Sequence, residues 1–467
     1  MNGQRWILTL LSIVFNFGIE IPIASAQNLT DQWVEKAAGP LVKNRVVDGL
    51  SIGYIEGKHL GIVHLGSANR DGKKANDSTL YEIGSISKVF TGLMLADAVV
   101  RGEIDLNAAA DVDNRAGIWL PSRDNRSIKW IDLSTHRSGL PRLPSNLVLT
   151  DLKNPYRNYN SKKAAAFLNQ YELPRQPGAS QEYSNLGASV LGYLVAQQAG
   201  RSYQQLLQER IAKPLQMTDC SVSLSKDQRQ RFATPHDKFG SPTPPWMFSN
   251  LPGAGGIRAT MQDMLRFAQA QLTPPTGKIG EAIELAWKQQ SDADASGPAM
   301  GLGWMIAEDG QTRWHNGQTA GSYSVLFINR KLNCAVVVLC NTAVINEIDQ
   351  LAMLLVMKAA GQDVKPGPDK TSDHKSDDLV IDAKQRRRLV GRYQLAPNFI
   401  FTVRDRDGHL MVGITNQPTQ EVFPDSPTRW SYRGIPATLE FKLRKTGPAT
   451  SLILHQNGVK QTAIRIK

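Results

Sequence analysis

Ser85-Ile86-Ser87-Lys88 opens a strongly apolar periodic run, which sets a hydroxyl and an amine at i and i+3 on one helix face. A serine hydroxyl is a poor nucleophile until a neighbour takes its proton. A partly buried lysine with a lowered pKa can do so, or can help another base to do so. The start of a helix adds a field that favours negative charge at Ser85. The same four residues also fit a serine N-cap followed by a surface lysine, so the pair needs support from elsewhere. Support comes from Tyr183-Ser184-Asn185, in a polar loop after Pro177-Gly178 and ahead of a helix at Gly187. There a phenol can shuttle a proton and an amide can hold a carbonyl. A third segment, Trp314-His315-Asn316-Gly317, closes a strand and runs into Gln318-Thr319-Ala320-Gly321. Small residues such as Gly317 let a substrate backbone lie along the strand, and a main-chain N–H just beyond suits an oxyanion. Taken alone, His315 reads as a partly exposed histidine at a strand end.

The elements that must position these residues can be read from periodicity. Residues 30–42 predict a helix, and the apolar segments 50–55 and 60–65 around Glu56-Gly57-Lys58 predict a strand, a tight turn and a strand. The run from Ser85 to Arg101 is helical in spacing and stops at Gly102. Further helices are expected over 162–170, 187–198, 203–211 and 261–272, the last with Thr260 and Asp263 as a capping-box-like start. Strands return over 303–307, 312–315, 323–328 and 334–339, and a helix over 345–360 closes this part. Strands at both ends with helices between them predict an α/β fold: one antiparallel sheet flanked by helices, with an all-helical insert.

Residues 362–378 contain nearly no apolar side chains and read as a linker. Beyond it, 379–467 carries short alternating segments at 400–403, 410–414, 438–443 and 451–455, with Asp407-Gly408 as a hairpin turn. A small antiparallel barrel or sandwich is expected there. The N-terminus has Arg5, an apolar run from Trp6 to Phe17, and Ala24-Ser25-Ala26 before Gln27, the three parts of an export signal covering 1–26. Glu20 and Pro22 cut the apolar run well short of the ~20 residues that span a bilayer, so no anchor is expected after processing. The expected location is outside the inner membrane, periplasmic or extracellular.

Cys220, Cys334 and Cys340 do not form a disulfide framework, since the last two share one strand face as small core residues. The eight histidines give no ligand pattern; His59 and His64, five apart on a strand, face opposite sides. Neither a metal nor another cofactor is expected. The net charge of +12 is concentrated at the C-terminal end, where 379–467 holds 15 Lys and Arg against 6 Asp and Glu. That surface suits solvent or an anionic envelope polymer. Export and the lack of any recognisable module argue against nucleic acid as a partner. No feature assigns an oligomeric state.

In this order and context the three motifs resemble the serine β-lactamase and penicillin-binding protein family, in its class C β-lactamase-like branch. The resemblance rests on Tyr81-Glu-Ile-Gly-Ser85-Ile-Ser-Lys88-Val-Phe-Thr, on Leu133-Ser-Thr-His-Arg-Ser-Gly-Leu-Pro141 and on Pro177-Gly-Ala-Ser-Gln-Glu-Tyr183-Ser-Asn185, and covers roughly residues 30–360. It implies that Ser85 is acylated, that Lys88 and Tyr183 handle its proton with the division between them open, and that Asn185 positions substrate. The N–H groups of Ser85 and Gln318 would form the oxyanion hole, with His315 and Gly317 lining the substrate strand. The implied partner is a D-alanyl-D-alanine peptide of peptidoglycan or a β-lactam. Two alternatives stay open: a promiscuous carboxylesterase, and a penicillin-binding sensor that acylates without turnover. One departure stands out. β-Lactamases of this branch carry Lys-Thr-Gly where this chain has His315-Asn316-Gly317, and a histidine there looks more like the DD-peptidases and esterases. Such a histidine, neutral or charged near pH 7, would hold a substrate carboxylate weakly and in a pH-dependent way. Lys445-Thr446-Gly447 lies beyond the linker between two short strands and reads as a hairpin turn. Gly391-Arg-Tyr393 and Leu454-His-Gln-Asn-Gly458 resemble the lipocalin-like appendage of some of these hydrolases.

Overall fold

Apolar runs close to each end of the first unit build one six-stranded sheet. The computed structural model describes residues 28–466, apart from 70, 112–113, 149–150, 152, 367–378, 380, 398, 407, 416–418, 433–436 and 457–458. The export signal expected over 1–26 and most of the expected linker lie outside the described residues. The chain divides into two units, one of residues 49–235 and 243–367 with the N-terminal part up to 38, the other of 39–48, 236–242 and 368–467. The expected split into 27–361 and 379–467 differs from this in the two short segments.

In the first unit, β1 (Gly49–Glu56) and β2 (His59–Gly66) form the expected hairpin. They are followed much later by β3 (Met305–Ile306), β4 (Thr312–Gln318), β5 (Tyr323–Asn329) and β6 (Cys334–Cys340). The sheet order is β2-β1-β6-β5-β4-β3, antiparallel throughout, with Leu50 opposite Cys340 and Gly317 opposite Ser324. β4 runs three residues further than expected, to Gln318. Neighbouring residues of a strand face opposite sides, and that sorts the flanking helices. Tyr54 donates to Asp31 at 2.8 Å in α1 (Asp31–Lys43), whereas a side chain on Gly53 would run into Met261 and Leu265. Met261–Leu272 therefore covers the other face. Its start has the expected capping box, Thr260 accepting from Asp263 N at 3.2 Å. Cys334 and Cys340 are buried and form no disulfide, as expected of core residues.

The helix α2 (Ser87–Val100) is buried all round from Ser87 to Ala98, so it is an interior helix packed on its neighbours rather than an amphipathic surface one. Phe90 stacks on Phe267 at 4.2 Å between ring centroids, locking α2 to the Met261–Leu272 helix. Asn185–Gln198 starts two residues earlier than expected because Ser184 caps it, accepting from Gly187 N at 2.8 Å.

The second unit carries a closed barrel of eight antiparallel strands, from Gly391–Ala396 to Val459–Ile466, whose first and last strands pair. Tyr393, Phe401, Trp430, Leu439, Phe441 and Leu452 fill a continuous apolar core there. Lys445-Thr446-Gly447 falls between the paired strands Ala437–Lys442 and Ser451–Gln456, with Gly447 at φ +84, so it is a turn as expected. The strands at 391–396, 420–424, 429–432 and 459–466 lie outside the four segments read from alternation.

Candidate active site

Ser85 does not begin the α-helix. It sits in a 3₁₀ turn, Gly84–Ile86, that feeds α2, and neither element has a side-chain cap. The N-cap reading of Ser85 therefore falls away. Lys88 follows three residues on, in the first turn of α2, and its Nζ lies 2.9 Å from Ser85 Oγ. The amino end also donates to the Ala254 carbonyl at 2.7 Å and is almost wholly buried. Burial first, and the Arg142 guanidinium second, hold the Lys88 pKa well below the usual lysine range.

Tyr183 lies beside the same hydroxyl, close enough for Ser85 to favour its ionised form. Its ring lies 4.7 Å from Lys88 Nζ, and burial raises its pKa despite Ser85 and Arg142, so it remains a phenol. His136, at φ +61, fixes the Tyr183 loop from beneath. Its Nδ1 accepts from Ser184 N at 3.3 Å, its carbonyl from Glu182 N at 2.8 Å, and its ring lies 4.5 Å from that of Tyr183. Asn185 donates through Nδ2 to the Tyr156 hydroxyl at 3.1 Å, while its buried Oδ1 has no protein partner. Turning the amide over would let Tyr156 donate to Oδ1 and free an N–H₂ for a carbonyl. Tyr156, Phe248 and Trp246 form an aromatic wall, with Tyr156 stacked on Phe248 at 4.8 Å.

The strand side is set by β4. Thr319 N donates to Ser322 O at 3.0 Å, so that pair and, two residues back, Gly317 with Ser324 exchange the ladder bonds. Gln318 stands between them, in a pair with Tyr323, and its N–H points away from β5. A Cβ placed on Gly84 would lie 2.6 Å from that nitrogen, so the Gln318 N–H stands beside the nucleophile turn. Gly317 allows this approach, since its Cβ would be 2.0 Å from the Ile83 carbonyl oxygen. Ser324 Oγ ties down the same carbonyl at 2.8 Å. Buried Glu82, which sequence reasoning passed over, fastens the surroundings: it accepts from Trp246 N at 2.6 Å and Thr319 Oγ1 at 2.7 Å.

His315 differs from its expectation. Rather than partly exposed, it is fully buried, 6.4 Å from the Tyr183 ring. Its Nδ1 is 2.6 Å from the Asn316 carbonyl, which can only accept, so Nδ1 carries the proton and Nε2 presents a lone pair with no protein partner. Burial, then the positive charge Lys88 has when protonated, push its pKa down to about 3. It is neutral throughout the physiological range, and a pH-dependent grip on a carboxylate does not come from this residue. The cost falls on acid stability instead. Below the unfolded pKa of about 6.5, the unfolded chain takes up a proton that folded His315 refuses, so stability falls as pH drops towards 3 by about 1.4 kcal/mol per pH unit. Urea melts between pH 4 and 6.5 should show a shallower slope for His315→Gln than for wild type; equal slopes would refute the buried neutral histidine.

The structure thus places Lys88 and Tyr183 beside the Ser85 hydroxyl and Gly317 with the Gln318 N–H beside the nucleophile turn, while His315 lies 6.4 Å from the Tyr183 ring and Asn185 stands two residues after Tyr183 and meets Tyr156. Among the described residues, no group of three His, Cys, Asp or Glu is placed to hold a metal ion, and no helix is long and apolar enough to cross a membrane.

A family model described as Beta-lactamase matches residues 34–360. A Beta-lactamase of Pseudomonas fluorescens is 25% identical over 279 residues, covering 58% of this chain and 73% of that protein. Protein flp of Staphylococcus aureus (strain COL) is 27% identical over 274 residues, 57% of this chain but only 54% of that one, so the match spans about half its length. Among solved structures, a class C beta-lactamase superposes with a TM-score of 0.61 at 20% identity, covering 71% of this chain and 95% of that one. A Beta-Lactamase/D-Alanine Carboxypeptidase from Pseudomonas syringae gives 0.61 at 18% identity, over 72% and 99%. At these identities the structural likeness speaks for the fold.

Proposed function

The chain belongs to the beta-lactamase family and is a serine hydrolase, and from that premise we propose that it opens amide bonds through an acyl-enzyme on Ser85, with D-alanyl-D-alanine peptides or β-lactams as substrates. The observation that carries the reading is the 2.9 Å contact between Ser85 Oγ and a buried lysine whose pKa burial pulls well below the usual lysine range. Neutral Lys88 accepts the Ser85 proton as Oγ attacks the substrate carbonyl. Tyr183, held as a phenol, relays that proton to the departing amine, so the C–N bond breaks as the N–H bond forms. The N–H groups of Ser85 and Gln318 hold the oxyanion, and Asn185 steadies the acyl chain. Water then attacks the ester by the same route in reverse, giving up its proton to Lys88 and restoring the Ser85 hydroxyl.

Export on the signal at 1–26 places this chemistry where cell-wall peptides occur, and the C-terminal barrel is read as a lipocalin-like appendage. A second reading, a carboxylesterase of broad acyl range, draws support from His315, which supplies no charge where the resemblance leads one to look for a lysine.

Turnover of a chromogenic cephalosporin, a D-Ala-D-Ala peptide and a p-nitrophenyl ester, each with Ser85→Ala as control, separates these. The amide reading expects covalent labelling by a tagged penicillin and turnover of an amide substrate, both lost in Ser85→Ala. Turnover of the ester alone selects the second reading. Unlabelled wild type whose hydrolysis survives in Ser85→Ala refutes both.

A further inference from the structure

The positive charge at this site has moved. His315 is neutral and has no exposed surface, and Lys88 is buried with its donors directed to Ser85 and Ala254. Arg142 is exposed, and its Cζ lies 5.1 Å from the centre of the Tyr183 ring. Its backbone is pinned to the catalytic loop, because its carbonyl accepts from Asn185 N at 3.1 Å and from Leu186 N at 3.4 Å. The guanidinium itself makes no ion pair or hydrogen bond to any described residue. It rests on the face of the Tyr183 ring, beside the nucleophile Ser85. An arginine held over an aromatic face keeps its planar fork of donors free for an anion.

Its position also fixes which part of a substrate it can meet. The atom that leaves the carbonyl must come within about 3 Å of the group that returns its proton, which in the mechanism above is Tyr183. Groups attached to the leaving atom therefore gather around the Tyr183 ring, beside Arg142. We propose that Arg142 is the residue that selects substrates by charge, binding a carboxylate carried on the leaving group a few bonds from the scissile bond. The inference rests on the acyl-enzyme reading above and deepens it. The role comes from a loop between the first and second motifs, not from the third motif on β4.

The test uses two aryl esters with one acyl group, differing only in whether the phenol that leaves bears a meta carboxylate. Wild type should favour the carboxylated ester in kcat/KM by about tenfold, mainly through KM, as a charge-assisted fork to a carboxylate gives. The preference should shrink with added salt, because the guanidinium is exposed. Arg142→Ala should bring the ratio of the two esters close to one, Arg142→Lys should keep part of it, and Arg142→Glu should invert it. The side chain carries no structural hydrogen bond, so these variants should melt near the wild-type temperature. A ratio unchanged in Arg142→Ala, or equal losses on both esters in all three variants, overturns the proposal. Hydrolysis of both esters that survives Ser85→Ala would instead sink the acyl-enzyme reading beneath it.

Discussion

Lys88→Met is expected to yield a folded protein whose hydrolysis of every substrate falls by about 10³- to 10⁴-fold, the upper part of the range for a general base. Methionine has nearly the length of lysine and suits a buried site, so what disappears is the amine next to Ser85 Oγ rather than the packing. The loss should appear in kcat, since the amine acts on the enzyme's own hydroxyl and not on bound substrate. Stability should move the other way. Burial keeps the folded pKa of Lys88 below its unfolded value near 10.5, so under that pH the unfolded chain binds a proton the folded one does not. Wild type therefore loses stability from this residue as pH falls below about 10. Lys88→Met, free of that penalty, should gain in melting temperature relative to wild type between pH 9 and pH 7. A variant within about tenfold of wild-type activity would remove Lys88 from the proton path.

Gly317→Ala should be nearly as damaging for a different reason. The added Cβ would stand 2.0 Å from the Ile83 carbonyl oxygen and 2.6 Å from Ser324 Oγ. The first of these is backbone, held by Ser324, and cannot rotate away. The strand must retreat from the nucleophile turn and take the Gln318 N–H with it. Loss of one oxyanion donor costs about 10²- to 10³-fold in kcat, and overpacking adds roughly 1–3 kcal/mol of destabilisation. Gly39→Ala, where a Cβ would meet nothing within 4 Å, is the control and should leave kcat unchanged. If both variants keep wild-type kcat, the Gln318 N–H has no part in the reaction.

Much of this architecture is legible in the chain because its signals are local. The boundaries of Met261–Leu272 follow from Thr260, Asp263 and the apolar spacing, and the β1–β2 hairpin from two apolar runs around Gly57. Ser85, Lys88 and Tyr183 could be singled out because the order of three weak motifs carries more information than any one of them. The structure adds what depends on distant segments meeting. His136 adopts a left-handed conformation with no glycine or asparagine to announce it, and Glu82 acts through partners more than 160 residues away. His315 looked exposed because it stood near a strand end; β4 continues past it, and the neighbouring elements bury it. In the barrel, Gln420–Pro424 and Arg429–Tyr432 are too short and too mixed in polarity for alternation to register.

The pairing of β1 with β6 also sets a schedule. Leu50 finds Cys340 only after nearly 300 further residues have been made, and Gln318 must arrive before the nucleophile turn has its oxyanion strand. At 5–20 residues per second the ribosome needs on the order of tens of seconds to deliver those strands. Until then the β1–β2 hairpin has no neighbour on its β6 side, and Ser85 is a serine without a site. A nascent chain of this protein is thus chemically silent by topology, and activity switches on only when the last strands of the sheet close over the first.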